Sequence, residues 1–302
     1  MIRKSLVGTV AAVAVIGLLA GCSPTTATPE PSSPSESAAT GDQTAASLVP
    51  DKIRASGELL IGNSPVFPPM SFLPNDSGND DDRVGVDVDL ATALAEVLDL
   101  KPVFQRQQYE QYLPSLGTGR LDIVFSAMQD LESRHGTATF VDYSVTGPQL
   151  FTTADRTDLK DVADLCGKTV LIGVANTGDQ DQVTAASERE CSGNPIKIET
   201  ATDNAAALTA LKQGRADATI RGAETVGYLM TEIEPDTYRL IGDKLATIPV
   251  GIAVGKANAQ LVDAVYAGME ELMANGTYQS IIDKWKVPEL AIDEPMVDGK
   301  AR

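Results

Sequence analysis

Apolar residues fall into three regimes along this chain. Residues 6–20 are almost continuously apolar, 23–47 hold almost no large apolar residue, and from Val49 onward short apolar runs alternate with stretches at helical spacing. Leu59-Leu-Ile-Gly-Asn63 predicts a strand, and Leu90, Ala91, Leu94, Val97 and Leu98 predict an amphipathic helix over 87–98. A strand at 102–107, a helix at 112–116 and a strand at 121–125 follow. After Phe151-Thr-Thr-Ala154 the pattern restarts, with helices expected at 159–165, 177–190, 205–213 and 223–232. Strands are expected between them at 169–174, 196–200, 218–221, 238–241 and 249–254. Helices at 260–274 and 278–285 close the chain. Strands alternating with helices predict an α/β protein with mostly parallel sheets. Two chain crossings, near 152–154 and 247–249, would make 153–247 a second lobe inserted into a first lobe of 51–152 and 248–302. Paired crossings are a natural hinge.

One pattern occurs twice. Leu116-Gly-Thr-Gly-Arg-Leu-Asp-Ile-Val-Phe125 is echoed by Leu211-Lys-Gln-Gly-Arg-Ala-Asp-Ala-Thr-Ile220. Each copy reads as a helix ended by a left-handed glycine (Gly119, Gly214), then Arg-x-Asp, then a strand. Ligands of open α/β sheets bind beyond the carboxyl ends of the strands. Candidate ligand contacts therefore follow each copy, at 126–134 and 221–224.

The first regime is an export signal. Arg3 and Lys4 precede an apolar run of about 15 residues, short for a bilayer core of about 30 Å. Leu19-Ala20-Gly21-Cys22 matches a lipoprotein cleavage site, so 1–21 is expected to be removed and Cys22 to carry lipid, palmitate included. That tethers the protein outside the cytoplasm to the cell membrane. The second regime, 22–50, is expected to be a flexible stalk, too poor in apolar residues to offset ordering entropy.

Charge narrows the partners. The chain has 24 basic and 42 acidic residues; removing Arg3 and Lys4 with the signal leaves 22 against 42, a net charge of −20. Such a surface repels nucleic acid and anionic headgroups. Of the three Cys, Cys166 and Cys191 remain after Cys22 is lipidated, an even pair that predicts a disulfide in an exported protein. The single His, His135, gives no imidazole cluster, and the acidic stretch 75–82 lacks calcium-loop spacing. No metal, cofactor or catalytic residue is expected.

The ordered motifs then resemble a known family. They are Gly85-Val-Asp-Val-Asp-Leu-Ala91, Tyr109-x-x-Tyr-Leu-Pro-Ser-Leu-x-x-Gly-Arg-x-Asp122, Ser126-Ala-Met with Arg134, and Phe140-Val-Asp-Tyr-Ser144. Gly167-Lys-Thr-Val170, Asn176-Thr-Gly178, Gly214-Arg-Ala-Asp-Ala218 and Gly276-Thr-Tyr278 with Trp285 complete the set. Together, over residues 53–287, they resemble the family 3 extracellular solute-binding proteins, receptors of polar amino-acid ABC importers. The resemblance implies a two-lobed periplasmic-binding-protein fold of type II, monomeric, closing on one small carboxylate-bearing solute and presenting it to a membrane permease. It implies that Arg134 grips the ligand carboxylate, that Ala127 and Gln129 offer backbone N–H groups, and that Thr177 and Gly178 complete the cradle from the opposite lobe. Phe67 and Tyr109 stand at the aromatic-wall positions and Ser64 at a specificity position. The carboxylate that pairs with a ligand ammonium is missing, because Gly222 occupies its place; Glu224 is the candidate substitute, and Arg221 adds positive charge that suits an acidic ligand. Two alternatives stay open: an exported dehydratase-like enzyme on the same fold with Glu224 as general acid, and a solute-sensing lipoprotein.

Overall fold

Gly119 and Gly214 both take the left-handed conformation, with φ 68° and 69°. Each ends its helix as expected, the two N–H groups bonding back to Leu116 O at 3.1 Å and Leu211 O at 3.0 Å. The following aspartates do matching work. Asp122 Oδ2 accepts from Leu60 N at 2.8 Å, and Asp217 Oδ2 accepts from Thr169 N at 2.9 Å. The repeat is thus a clamp that locks each helix–strand unit to the start of the neighbouring parallel strand.

The computed structural model describes residues 44–173, 177–202 and 204–302. The expected signal peptide, Cys22 and the stalk as far as 43 lie outside them. The described chain begins with α1 (Asp51–Ser56), β1 (Glu58–Gly62), the hairpin β2 (Val66–Phe67) and β3 (Ser71–Phe72), α2 (Val86–Val97), β4 (Lys101–Gln105), α3 (Tyr112–Gly117) and β5 (Ile123–Val124). Then come β6 (Ala138–Thr146), β7 (Pro148–Thr153), β8 (Thr169–Gly173), α4 (Thr177–Glu190), β9 (Lys197–Ala201), α5 (Asn204–Lys212), β10 (Ala218–Gly222) and α6 (Ala223–Tyr228). The last elements are β11 (Tyr238–Ile241), β12 (Ile248–Gly255), α7 (Ala259–Ala274), α8 (Thr277–Trp285) and β13 (Met296–Val297).

The fold is mixed α/β and two-lobed. One sheet has the order β13-β6-β12-β5-β1-β4, the other β11-β7-β10-β8-β9. Each has a parallel centre, β5-β1-β4 and β10-β8-β9, which short apolar runs joined by helices produce; antiparallel strands extend it on one side. Leu59, Ile61, Ile123 and Ile252 pack under Leu90, Leu94, Val265 and Met269 in the first lobe's core. Leu150, Val170, Ile172, Ala218 and Ile220 pack with Val183 in the second. The expected disulfide joins Cys166 to Cys191, beside the end of α4.

Three expectations need correction. The first crossing is not at 152–154: β7 belongs wholly to the second sheet, so the chain passes at Gly147, the one residue between β6 and β7. Gly147 lies so close to the returning segment that a Cβ there would sit 1.8 Å from Ala246 O. The expected strands left 126–153 unassigned, so the change of sheet at Gly147 was not anticipated. The stalk does not extend to 50: Ala45–Leu48 form a 3-10 turn, and Ala45 and Val49 are buried in the first lobe's core. Finally, the helix expected at 159–165 shrinks to a 3-10 turn, Val162–Leu165, capped by Asp161.

Candidate functional site

A cavity of about 390 Å³ lies where the two lobes meet. Ser64 and Phe67 reach it from the turn after β1, and Ser126, Ala127 and Gln129 from the loop after β5. Ser144 and Thr146 come from the end of β6, and Val250 from the start of β12. Tyr109, Val66, Met70 and Leu290 complete the first lobe's share. The second lobe contributes Glu224, in the first turn of α6 directly after β10. The site therefore sits beyond the carboxyl ends of β1, β5 and β10, as the switch-point rule anticipates.

The loop after β5 is held from below. Asp87, fully buried at the start of α2, accepts from Ala127 N at 2.7 Å and from the Tyr143 hydroxyl at 2.5 Å. Ala127 is thereby kept in the left-handed region at φ 46°, rare for a residue with a side chain. Burial pushes the Asp87 carboxyl up to about 7, against the opposing pull of these two hydrogen bonds. The sheet edge holds the other end of the loop: Asp130 N donates to Pro249 O and Gly251 N to Met128 O, both at 2.9 Å, around a bridge between Gln129 and Val250.

Glu224 is the one carboxylate in the described lining. It is 6% exposed and accepts a hydrogen bond from Thr146 Oγ1. Burial raises its pKa above the usual carboxylate range, the Thr146 bond opposes the rise, and Glu289 adds to it. Its carboxylate lies over Gly222: a Cβ built there would be 2.1 Å from Glu224 Oε1. The negative group thus stands where a side chain at 222 would have placed one.

Of the residues singled out by sequence, Ser64, Phe67, Tyr109, Ala127, Gln129 and Glu224 line this one cavity. Phe67 and Tyr109 are 39% and 40% exposed, so each presents a ring face that the core does not use. Ala127 does not offer its N–H to a ligand, because Asp87 already takes it. Arg134 is not in the lining either. Its Nη1 donates to Gln129 O at 2.6 Å and its guanidinium lies 5.7 Å from the centre of the Tyr109 ring, so it borders the cavity through two lining residues. Arg221 lines a neighbouring cleft with Pro68, Gly222, Thr225 and Tyr228, and Phe67 is common to both. Thr177 opens α4, but its side chain, Gly178 and residues 174–176 lie outside what is described. His135, given no role from sequence, pairs with Asp130.

Sequence reasoning missed Asp87, Ser144, Thr146, Val66, Met70, Val250 and Leu290. The Gly85-Val-Asp-Val-Asp and Phe140-Val-Asp-Tyr-Ser motifs flagged the neighbourhood of the first three, but a carboxylate inside an amphipathic pattern reads as a solvated helix face. Leu290 lies far along the chain from the rest of the site.

The family model for bacterial extracellular solute-binding proteins, family 3, matches residues 59–288. The arginine-binding protein ArgT of Corynebacterium glutamicum is 31% identical over 253 residues, covering 83% of this chain and 81% of the relative. The L-cystine-binding protein TcyJ of Escherichia coli K12 is 26% identical over 240 residues, covering 78% and 85%. Among solved structures, an ancestral cationic amino acid solute-binding protein, AncCDT-1, superposes with a TM-score of 0.65 at 28% identity, over 78% of this chain and 98% of that one. Another structure of AncCDT-1 is described as a precursor of cyclohexadienyl dehydratase and gives a TM-score of 0.58 at 28% identity.

Proposed function

We propose that this chain, which belongs to the bacterial extracellular solute-binding proteins of family 3, is the receptor of an amino-acid ABC importer, tethered through lipidated Cys22 and binding one uncharged amino acid between its lobes. The observation that carries this reading is the Glu224 carboxylate, buried at the lobe junction and folded over Gly222. A buried carboxylate calls for a positive partner, and a ligand ammonium supplies one. The ligand carboxylate then meets Arg134 and the N–H of Gln129, while Phe67 and Tyr109 close over the stem. The remaining lining supports a neutral side chain. Val66, Met70, Val250 and Leu290 are apolar, Ser64, Ser126 and Ser144 offer hydroxyls, and no second carboxylate stands in the described lining for a cationic group. Closure follows from the ligand's greater affinity for the closed form.

Calorimetric titration of the purified protein with the common amino acids tests this. Tight binding of neutral amino acids, with arginine, lysine and glutamate at least about tenfold weaker, is the expected result. Binding confined to arginine or glutamate would overturn the assignment of Glu224 to the ammonium.

A second reading rests on the same side chain. A carboxyl with a raised pKa in a closed cleft is suited to general-acid catalysis, and AncCDT-1 is described as the precursor of a dehydratase. Product formation from a dehydratable substrate, abolished in Glu224→Gln, would favour it.

A further inference from the structure

Away from the cavity, Asp130, His135 and Asp298 each place a donor atom within 4.8 Å of the others. His135 Nε2 pairs with Asp130 Oδ1 and lies 3.9 Å from Asp298 Oδ1. Asp130 and His135 flank the 3-10 turn Glu132–Arg134, whereas Asp298 follows β13 near the end of the chain. The fold assembles the group from distant segments: Asp298 is pinned by accepting from Phe140 N at 2.8 Å, and Asp130 by its own backbone bond to Pro249. His135 and Asp298 keep side-chain exposures of 28% and 26%, which leaves a way in from solvent.

A fourth carboxylate stands behind them. Asp142, on β6, is wholly buried. Its Oδ2 accepts from Gly299 N at 2.9 Å, one residue past Asp298. Its Oδ1 is buried with no hydrogen-bond partner, and Asp130, Asp298 and His135 are the charged groups that act on it. The backbone is shaped around this oxygen, since a Cβ at Gly251 would lie 2.5 Å from it. A buried polar atom with no partner is costly and calls for an explanation. Charge gives the same indication. Three carboxylates gather here, and the neighbouring ammonium, Lys256 Nζ, stands 3.7 Å from Asp298 Oδ2 while donating to Thr139. With all three ionised, two of their charges would be left uncompensated.

We infer that Asp130, His135 and Asp298, backed by Asp142, hold a divalent transition-metal ion. An imidazole among carboxylates suits zinc or manganese, whereas calcium takes oxygen donors alone. The ion would tie the loop that carries Gln129 to the C-terminal segment. The inference does not depend on which solute occupies the cavity.

Titration of the purified protein with zinc chloride, with calcium chloride as a second arm, tests it by calorimetry and by NMR. His135 is the chain's single imidazole, so the ring resonances report on this site alone. Zinc is expected to bind with one-to-one stoichiometry and to shift or broaden those resonances. Asp298→Asn and Asp130→Asn each keep a hydrogen-bond acceptor in place, and each is expected to weaken zinc by at least about tenfold. Ring resonances indifferent to zinc, wild-type zinc affinity in both variants, or a preference for calcium would each overturn the site and leave protons as the neutralising partner of the cluster.

Discussion

Glu224 and Gly222 share one position in space. The Glu224 carboxylate lies where a side chain at 222 would go, 2.1 Å from the Cβ that Gly222 lacks. The glycine is what allows the glutamate to fold back, and the glutamate restores the negative group that the glycine removes. Thr146, on the other lobe, holds the carboxylate there. The pair is therefore one geometric unit.

Glu224→Gln is expected to weaken ligand binding by about 2 kcal/mol or more, the usual loss when one partner of a buried charge pair is neutralised. Gly222→Asp combined with Glu224→Ala, which clears the space the glutamate fills, should recover a large part of it. Calorimetry on the two variants distinguishes a substitute carboxylate from a merely structural one, because a structural role gives no recovery.

Arg134 touches Gln129 and Tyr109, so its truncation could act through the wall or through the ligand. Comparing an amino acid with its carboxamide separates the two. The wild type should prefer the free acid by at least about tenfold, and Arg134→Ala should lose that preference. Arg134→Lys should retain only part of it, since an ammonium lacks the planar fork. An unchanged preference in Arg134→Ala would leave Arg134 as a brace.

Asp87 makes stability depend on pH in an unusual direction for a carboxylate. Its folded-state value, about 7, lies above the ordinary Asp value of 3.8. Between those values the folded state binds more protons than the unfolded one, so stability falls as pH rises through the window and is recovered on acidification. Moving from pH 7.5 to 5 should stabilise the wild type by up to about 3 kcal/mol more than Asp87→Asn, at about 1.4 kcal/mol per pH unit. Denaturant unfolding at the two pH values measures it; equal pH responses would remove Asp87 as the cause.

Gly147→Ala would drive a methyl group into the Ala246 carbonyl, which is backbone and cannot turn aside. The expected loss is about 2 kcal/mol of stability, read as a lower denaturant midpoint. Because the contact joins the two crossing segments, ligand affinity should change as well, even though residue 147 does not line the cavity.

Much of this was legible in the chain itself. The twin Gly-Arg-x-Asp pattern announced two equivalent units, and the helix starts and ends of α4, α7 and α8 follow directly from spacing. Six of the ten residues singled out for ligand contact converge on one cavity. What stayed hidden was of two kinds. Gly147 separates two strands in a stretch where none was expected, and a single residue of punctuation carries little periodic signal. Asp87, Asp142 and Asp298 matter through partners far away in sequence, and polarity alone marks such residues as surface. Arg134 was expected to grip the ligand, but its side chain turns to Gln129 and Tyr109, a rotamer choice that no local pattern encodes.

Ala45 and Val49 are sunk in the first lobe's core, ahead of both crossings between the lobes. Any tension transmitted from the N-terminal side is therefore borne by that lobe and is not carried through Gly147. Under the proposed attachment through Cys22, the load would end in the first lobe and the second would be spared it.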